Sequence, residues 1–233
     1  VDRFANGNTS NDKPVDDKRI LPPANYHGGD LAGITQHLDY IDDLGCNTIW
    51  LSPITRNPDG AFQEYPEPRR WFSGYHGYWP SSGTEMEERF GTQEDLQALV
   101  DAAHARGIRI LLDFAANHVH QDSPYFRDHP EWFNLPAQLC RDGLWDGDLR
   151  EECWFDSFLP DWNFTQAAAR KKVIEDAIWL AEEVGADGFR VDALKHMEEI
   201  FITELRAATE ARSEAALLAR KTAGLPRLCV LST

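Results

Sequence analysis

Residues 188–196 read GFRVDALKH, and within that stretch stand Arg190, Asp192, Lys195 and His196. The stretch begins as a short apolar strand. Strand side chains alternate between faces, so Arg190 and Asp192 share one. A guanidinium beside a carboxylate lowers the carboxyl pKa and keeps the group ionised. An ionised, oriented carboxylate is what covalent attack on an acetal carbon requires. A structural Arg–Asp pair is the other reading of the same residues. A second polar cluster, DFAANHVH (113–120), brings Asp113, Asn117 and His118 to the end of the apolar run IRILLDF (108–114). Taken alone, it is equally a plain strand terminus, with Asn117 capping the chain and His118 on the surface.

The elements that must hold these residues alternate. Ile34, Leu38 and Ile41 follow helical spacing, with Asp30 as a cap and Gly45 as a stop. CNTIWLSP then reads as a buried strand closing at Pro53, with Cys46 as a buried thiol. Residues 55–91 are irregular and rich in Pro, Gly, Trp and Tyr, and loops of that length are usually functional. Thr92 and Asp95 resemble a capping box ahead of an apolar stripe of Leu96, Leu99, Val100 and Ala103. Gly107 ends that helix, and the strand 108–114 is apolar enough to be covered on both faces. Residues 118–164 form a second irregular excursion, with Pro124, Pro130, Pro136 and Pro160. Thr165 is expected to cap a helix carrying Val173, Ala177, Ile178 and Ala181 and ending at Gly185. The strand GFRVD and a helix with Ile200, Phe201, Leu205 and Ala208 follow. Strand, helix, strand, helix with short returns gives a parallel sheet. In α/β barrels the active site lies at the edge where the strands end, which explains the polar crowding at 113–118 and 188–196.

The bulk properties exclude more than they assign. With 23 basic and 39 acidic residues the formal charge is −16, which argues against nucleic acid or an anionic membrane surface as partner. No apolar run reaches about 18 residues, so no membrane span is expected. The four cysteines include no CxxC pair, which speaks against zinc. Cys140 and Cys153 flank a loop-like stretch and read equally as a disulfide, if the protein is exported, or as two free thiols.

Together the motifs resemble glycoside hydrolase family 13, the α-amylase family. Asp113, Asn117 and His118 match its Asp-x-x-x-Asn-His strand end, and 188–196 matches its nucleophile motif in full. LPDWN (159–163), YHGYW (75–79) and DRFANG (2–7) match three further segments. The resemblance implies an α/β fold, a (β/α)8 TIM barrel of which the N-terminal part is present: strands two to four, the edges of strands one and five, and a domain B excursion. The implied divisions are 1–117, 118–164 and 165–233. Asp192 would be the catalytic nucleophile and Arg190 its hydrogen-bonding partner. His76 and His118 would bind the sugar at the cleavage point, with Tyr78 stacking on it. Lys195 and His196 would contact the leaving-side sugar. Ca²⁺ is the implied metal, held by Asn117, Asp161 and the backbone oxygen of His196. An acidic ligand from 118–164 has no assignment. A second, N-terminal Ca²⁺ site would use Asn6, Asn8, Asn11, Asp12, the Gly28 carbonyl and Asp30, although a polar Asn/Asp turn reads the same way. The resemblance also implies the Cys140–Cys153 disulfide, a monomer acting on an α-1,4-glucan, and an extracellular or periplasmic location.

A retaining glycosidase needs a second carboxyl group, roughly 5 to 5.5 Å from the nucleophile, as general acid. In this family it is a glutamate ending the fifth strand, expected here from about Leu225, yet no glutamate follows Glu214. Glu198, Glu199 and Glu204 read as the solvated face of a helix. These 233 residues are therefore expected to be poorly stable and inactive alone. A cyclodextrin-forming transglycosylase, an α-glucosidase and a non-catalytic glucan-binding homologue are the alternatives.

Overall fold

The computed structural model describes residues 1–65, 67–141, 143–220 and 229–232. Residues 2–7 run as turns without a strand. The single helix expected from Leu31 is two, α1 (Leu31–Gln36) and α2 (Leu38–Asp43). They break at His37, whose φ of −109° and ψ of 15° leave the helical region while its Nδ1 bonds Gly33 O at 2.7 Å. Asp30 caps α1 as expected, accepting from Gly33 N. Strand β1 (Thr48–Leu51) follows, then an antiparallel hairpin of β2 (Phe62–Glu64) and β3 (Arg70–Phe72) inside the stretch read as irregular. Helix α3 (Gln93–His104) starts with both hydrogen bonds of the Thr92–Asp95 capping box. Strand β4 (Arg109–Phe114) leads to the excursion, which contains the short helix α4 (Pro124–Asp128). The chain returns through α5 (Ala167–Val184), β5 (Gly188–Val191), α6 (Glu199–Arg220) and β6 (Cys229–Ser232).

β1, β4, β5 and β6 form one parallel sheet in that order, each adjacent pair in four-residue register. The pairing Asp113↔Arg190 sets the two polar strand ends level. Leu96, Leu99, Val100 and Ala103 of α3 pack with Ile110 and Leu112 of β4, Ala177 and Ala181 of α5, and Phe201 and Leu205 of α6. Phe164 and Phe201 stack at 3.9 Å between ring centres. The excursion is closed by a Cys140–Cys153 disulfide and stitched back at His118↔Asp161 and Phe133↔Trp162.

Several sequence expectations need correction. Gln166, not Thr165, is the N-cap of α5, because Asn163 takes the Thr165 hydroxyl and its backbone N–H. Cys46 is exposed, lying in the turn after Gly45 rather than within β1. Trp50 of β1 is 53% exposed, because its face of the sheet is open among the described residues. Residues 225–228, where the fifth strand was expected to begin, lie outside the described residues. Cys229–Ser232 pairs in parallel with β5 over four residues. Among the described residues, no helix is long and apolar enough to cross a membrane.

Candidate active site

The ends of β4 and β5 meet at one guanidinium. Arg190 Nη1 donates to Asp192 Oδ1 at 2.6 Å and to the two Asp113 oxygens at 3.1 and 3.2 Å. Asp113 is buried and also accepts from the Tyr78 hydroxyl at 2.6 Å and Trp50 Nε1 at 3.0 Å. Burial pushes its carboxyl above the usual range, against the pull of Tyr78 and Arg190. Trp50 also lies under the guanidinium, 4.8 Å from its centre. Arg190 is thus fixed from three sides, and it fixes Asp192, whose carboxylate opens into a cleft of about 560 Å³. Directly after Asp192 the chain turns through Ala193, the one non-glycine at positive φ (55°) among the described residues.

The cleft runs between the strand ends and the excursion. Tyr78 and His118 line it beside Asp192. His118 Nε2 donates to Tyr78 O at 2.9 Å, and burial keeps its imidazole neutral by lowering its pKa. His76 stacks on Tyr78, with ring centres 5.9 Å apart. Its Nδ1 accepts from Tyr78 N at 3.0 Å, and burial lowers its pKa to about 4. The expected set Asp192, Arg190, Tyr78, His76 and His118 is therefore assembled in one place. Tyr78 lines the cleft and also orients Asp113 through its hydroxyl, a contact that spacing alone did not signal. Trp79 forms the floor of the cleft while packing in a core cluster with Phe158 and Leu159, and Trp71 lies under Arg19 at 3.8 Å.

The leaving-side pair is arranged differently. Lys195 is half exposed and turns to Asp146 of the excursion. The His196 ring is buried, its Nδ1 on Arg150 O at 2.9 Å, with Trp145 and Phe155 against it at 4.3 and 5.0 Å. Sequence reading missed Glu64, Tyr65, Trp145 and Asp156, which also line the cleft. The signal was there for Trp145, a large aromatic in a polar loop and 47% exposed. Tyr65 reaches the wall only through the hairpin, where its N–H donates to Asp156.

Asn117, Asp161 and the His196 carbonyl converge on one point. Asn117 Nδ2 lies 2.8 Å from Asp161 Oδ1 and 2.6 Å from His196 O, and Asn134 Nδ2 lies 2.7 Å from Asp161 Oδ2. Since His118 donates through Nε2, its Nδ1 is an acceptor, yet it faces Asn117 Oδ1 at 3.1 Å. Turning that amide over satisfies His118 and points the Asn117 oxygen at Asp161 and the His196 carbonyl. Three oxygens with no proton between them are what a hard cation coordinates. Burial raises the Asp161 pKa well above the carboxylate range, helped by Glu198 and Glu152, and no lysine or arginine among the described residues pairs with it. Glu198 is not a solvated side chain: burial raises its pKa to about 7, and its Oε2 has no partner. Glu204 is also engaged, accepting from Arg170 at 2.8 Å, whereas Glu199 is exposed.

At the N-terminal cluster Asn6 Nδ2 bonds both Asp12 oxygens at 2.9 Å, Gly28 packs so closely that a Cβ would lie 2.4 Å from Asp12 Oδ1, and Asn11 Oδ1 is buried without a partner. Those residues fit a cation. Asn8 instead caps a 3-10 turn, and the Asp30 oxygens accept from Gly7, Asn8 and Gly33 N–H groups.

The family model described as "Alpha amylase, catalytic domain" matches residues 1–216. Alpha-amylase 3 of Schizosaccharomyces pombe is 34% identical over 223 residues, covering 90% of this chain and 37% of that protein. A cyclomaltodextrin glucanotransferase of Geobacillus stearothermophilus is 32% identical, covering 84% and 30% respectively. The solved structure of an Anoxybacillus alpha-amylase superposes with a TM-score of 0.80 at 32% identity, over 100% of this chain and 45% of that one. The chain thus spans less than half the length of each of these relatives. The likeness identifies the four parallel strands as part of a (β/α)8 barrel, and the chain belongs to the alpha-amylase family.

Proposed function

We propose that this chain carries the nucleophile half of a retaining glycosidase acting on α-1,4-glucans. The observation that carries the reading is the Arg190 bridge, which orients Asp192 beside Tyr78 and His118 in an open cleft, with His76 stacked behind Tyr78. Asp192 attacks the anomeric carbon to form a glycosyl ester as the glycosidic C–O bond breaks and the leaving oxygen takes a proton from a general acid. Water then hydrolyses the ester and releases the Asp192 carboxylate. Neutral His76, whose Nδ1 accepts from Tyr78 N, keeps an unpartnered Nε2–H for a sugar hydroxyl, whereas both nitrogens of His118 are committed to Tyr78 O and Asn117 and hold Tyr78 in place. Asp113 does not serve as the general acid: it is buried and committed to Arg190, Tyr78 and Trp50. No residue of this chain is assigned as the general acid. Hydrolysis and transfer to another sugar share this nucleophile, and the products of the full-length protein on starch distinguish them, linear against cyclic.

Bound Ca²⁺ would neutralise Asp161 and tie the excursion to the strand ends through Asn117 and the His196 carbonyl. The N-terminal cluster would hold a second ion through Asn6, Asn11, Asp12 and the Gly28 carbonyl. Saturating Ca²⁺ at about 100 times Kd should stabilise the chain by about 2.7 kcal/mol per site. A thermal midpoint unmoved by Ca²⁺ or by chelator rejects both sites. Export is the accompanying proposal, supported by the disulfide.

The nucleophile can be tested without the general acid. A fluoro-substituted maltosyl fluoride has a leaving group that needs no proton. Incubated with the 233-residue chain, it should leave one glycosyl adduct on the peptide containing Asp192, and none in Asp192→Asn. An adduct elsewhere, or equal labelling of the variant, removes Asp192 from the role.

A further inference from the structure

Cys140, Cys153 and His196 are all buried, and their ligand atoms lie within 4.8 Å of one another. The His196 Nε2 is buried without a hydrogen-bond partner, while Nδ1 is pinned by the Arg150 carbonyl at 2.9 Å. That carbonyl fixes the ring and its tautomer, the outer-shell arrangement that metal-ligating histidines show. As a disulfide the two sulfurs are poor ligands. As thiolates, with the imidazole, they make a Cys2His set with one open position, which zinc takes with Zn–S near roughly 2.3 Å and Zn–N near roughly 2.0 Å. Sequence spacing hid the set, because 13 residues separate the cysteines and the histidine lies on another segment.

We propose that the reduced chain holds one soft divalent metal ion, Zn²⁺ by preference, on Cys140, Cys153 and His196, and that metal and disulfide exclude each other. A dithiol supplies two electrons and two protons, giving two cysteine thiols and its own disulfide. Cys140 lines the cleft and is the accessible partner. Zn²⁺ then displaces one proton from each thiol, and the imidazole enters as a neutral ligand. The donors are soft, unlike the oxygen set at Asp161, so the two places discriminate between zinc and calcium. The state is open to the chain between synthesis and oxidation, and a bound ion delays closure of the disulfide.

The test uses the 233-residue chain with Cys46→Ser and Cys229→Ser, so that the only thiols are at 140 and 153. After reduction and removal of the reductant, Co²⁺ should bind at one equivalent with a thiolate-to-cobalt charge-transfer band, and Zn²⁺ should displace it. The oxidised chain should show no such band. His196→Ala should weaken binding at least about tenfold, which a dithiol in an unfolded chain would not show. One equivalent of Zn²⁺ should slow reoxidation, because thiolates held by the metal are not free to be oxidised. No band in the reduced chain, whether or not it keeps its near-ultraviolet circular dichroism, overturns the proposal. So does unchanged affinity in His196→Ala, or reoxidation indifferent to Zn²⁺.

Discussion

Arg190 has two duties that a mutation can separate. It orients Asp192, and it compensates Asp113, whose side chain is fully buried. Arg190→Met should cost about 3 kcal/mol, because removing one partner leaves an uncompensated buried charge. Arg190→Met with Asp113→Leu should recover most of that loss while leaving Asp192 unlabelled by the fluoride probe. Urea midpoints at pH 7 measure the first effect, and a single variant as stable as the parent contradicts the account. Ala193 offers a second residue-scale prediction. Its φ of 55° costs a β-carbon-bearing residue about 1 kcal/mol, so Ala193→Gly should be neutral to stabilising by about that amount. Destabilisation beyond 1 kcal/mol would show that the turn is not strained. The Arg190–Asp192 pair was legible because period two puts i and i+2 on one face. The third member, Asp113, was visible only as a strand-end carboxylate, since its contact with Arg190 depends on register between two strands 77 positions apart.

At the scale of elements, the excursion is held by one covalent link and a few backbone bridges. The Cys140–Cys153 loop carries Trp145, Asp146 and Arg150, each touching the Lys195–His196 segment. Opening it with Cys140→Ala and Cys153→Ala should cost about 3 kcal/mol, the loop entropy expected for this separation. It should also make backbone amides of 141–152 exchange faster than those of β4, as measured by hydrogen exchange. Equal exchange in parent and variant would mean that packing of Trp145 and Phe155 suffices. Regular elements were easy to read where local chemistry determines them: the capping box of α3, the Gly185 stop and β5 stand where spacing put them. The break at His37 and the uncapped start of α5 were not readable, because each depends on which competing hydrogen bond wins. The β2–β3 hairpin escaped for a different reason. Its strands are three residues each, too short for alternation to register.

For the molecule as a whole, acid is the informative stress. Burial holds the imidazoles of both His76 and His120 down to about 4. His120 is fully enclosed, with Phe62 and Phe158 against its ring and no partner for Nε2. Above pH about 6.5 both histidines are neutral in the folded and unfolded chains and do not affect the balance. Below it the unfolded chain takes up protons that the folded one refuses, so stability falls through the window from 6.5 to 4 and levels off beneath it. A shift of this size is worth about 3 kcal/mol per histidine when complete. Glu198 acts in the opposite sense: with a folded pKa of about 7, it adds stability as pH falls from 7 towards its unfolded value of 4.5. The raw pH profile therefore mixes opposing contributions, and a difference isolates one of them. Comparing the parent with His120→Gln cancels Glu198 and His76, which both proteins retain. Between pH 7 and 5 the parent should lose about 2 kcal/mol more than the variant, read from urea midpoints at each pH. Parallel profiles would mean that His120 takes up its proton without unfolding, with the hairpin parting from the excursion to let water reach the ring.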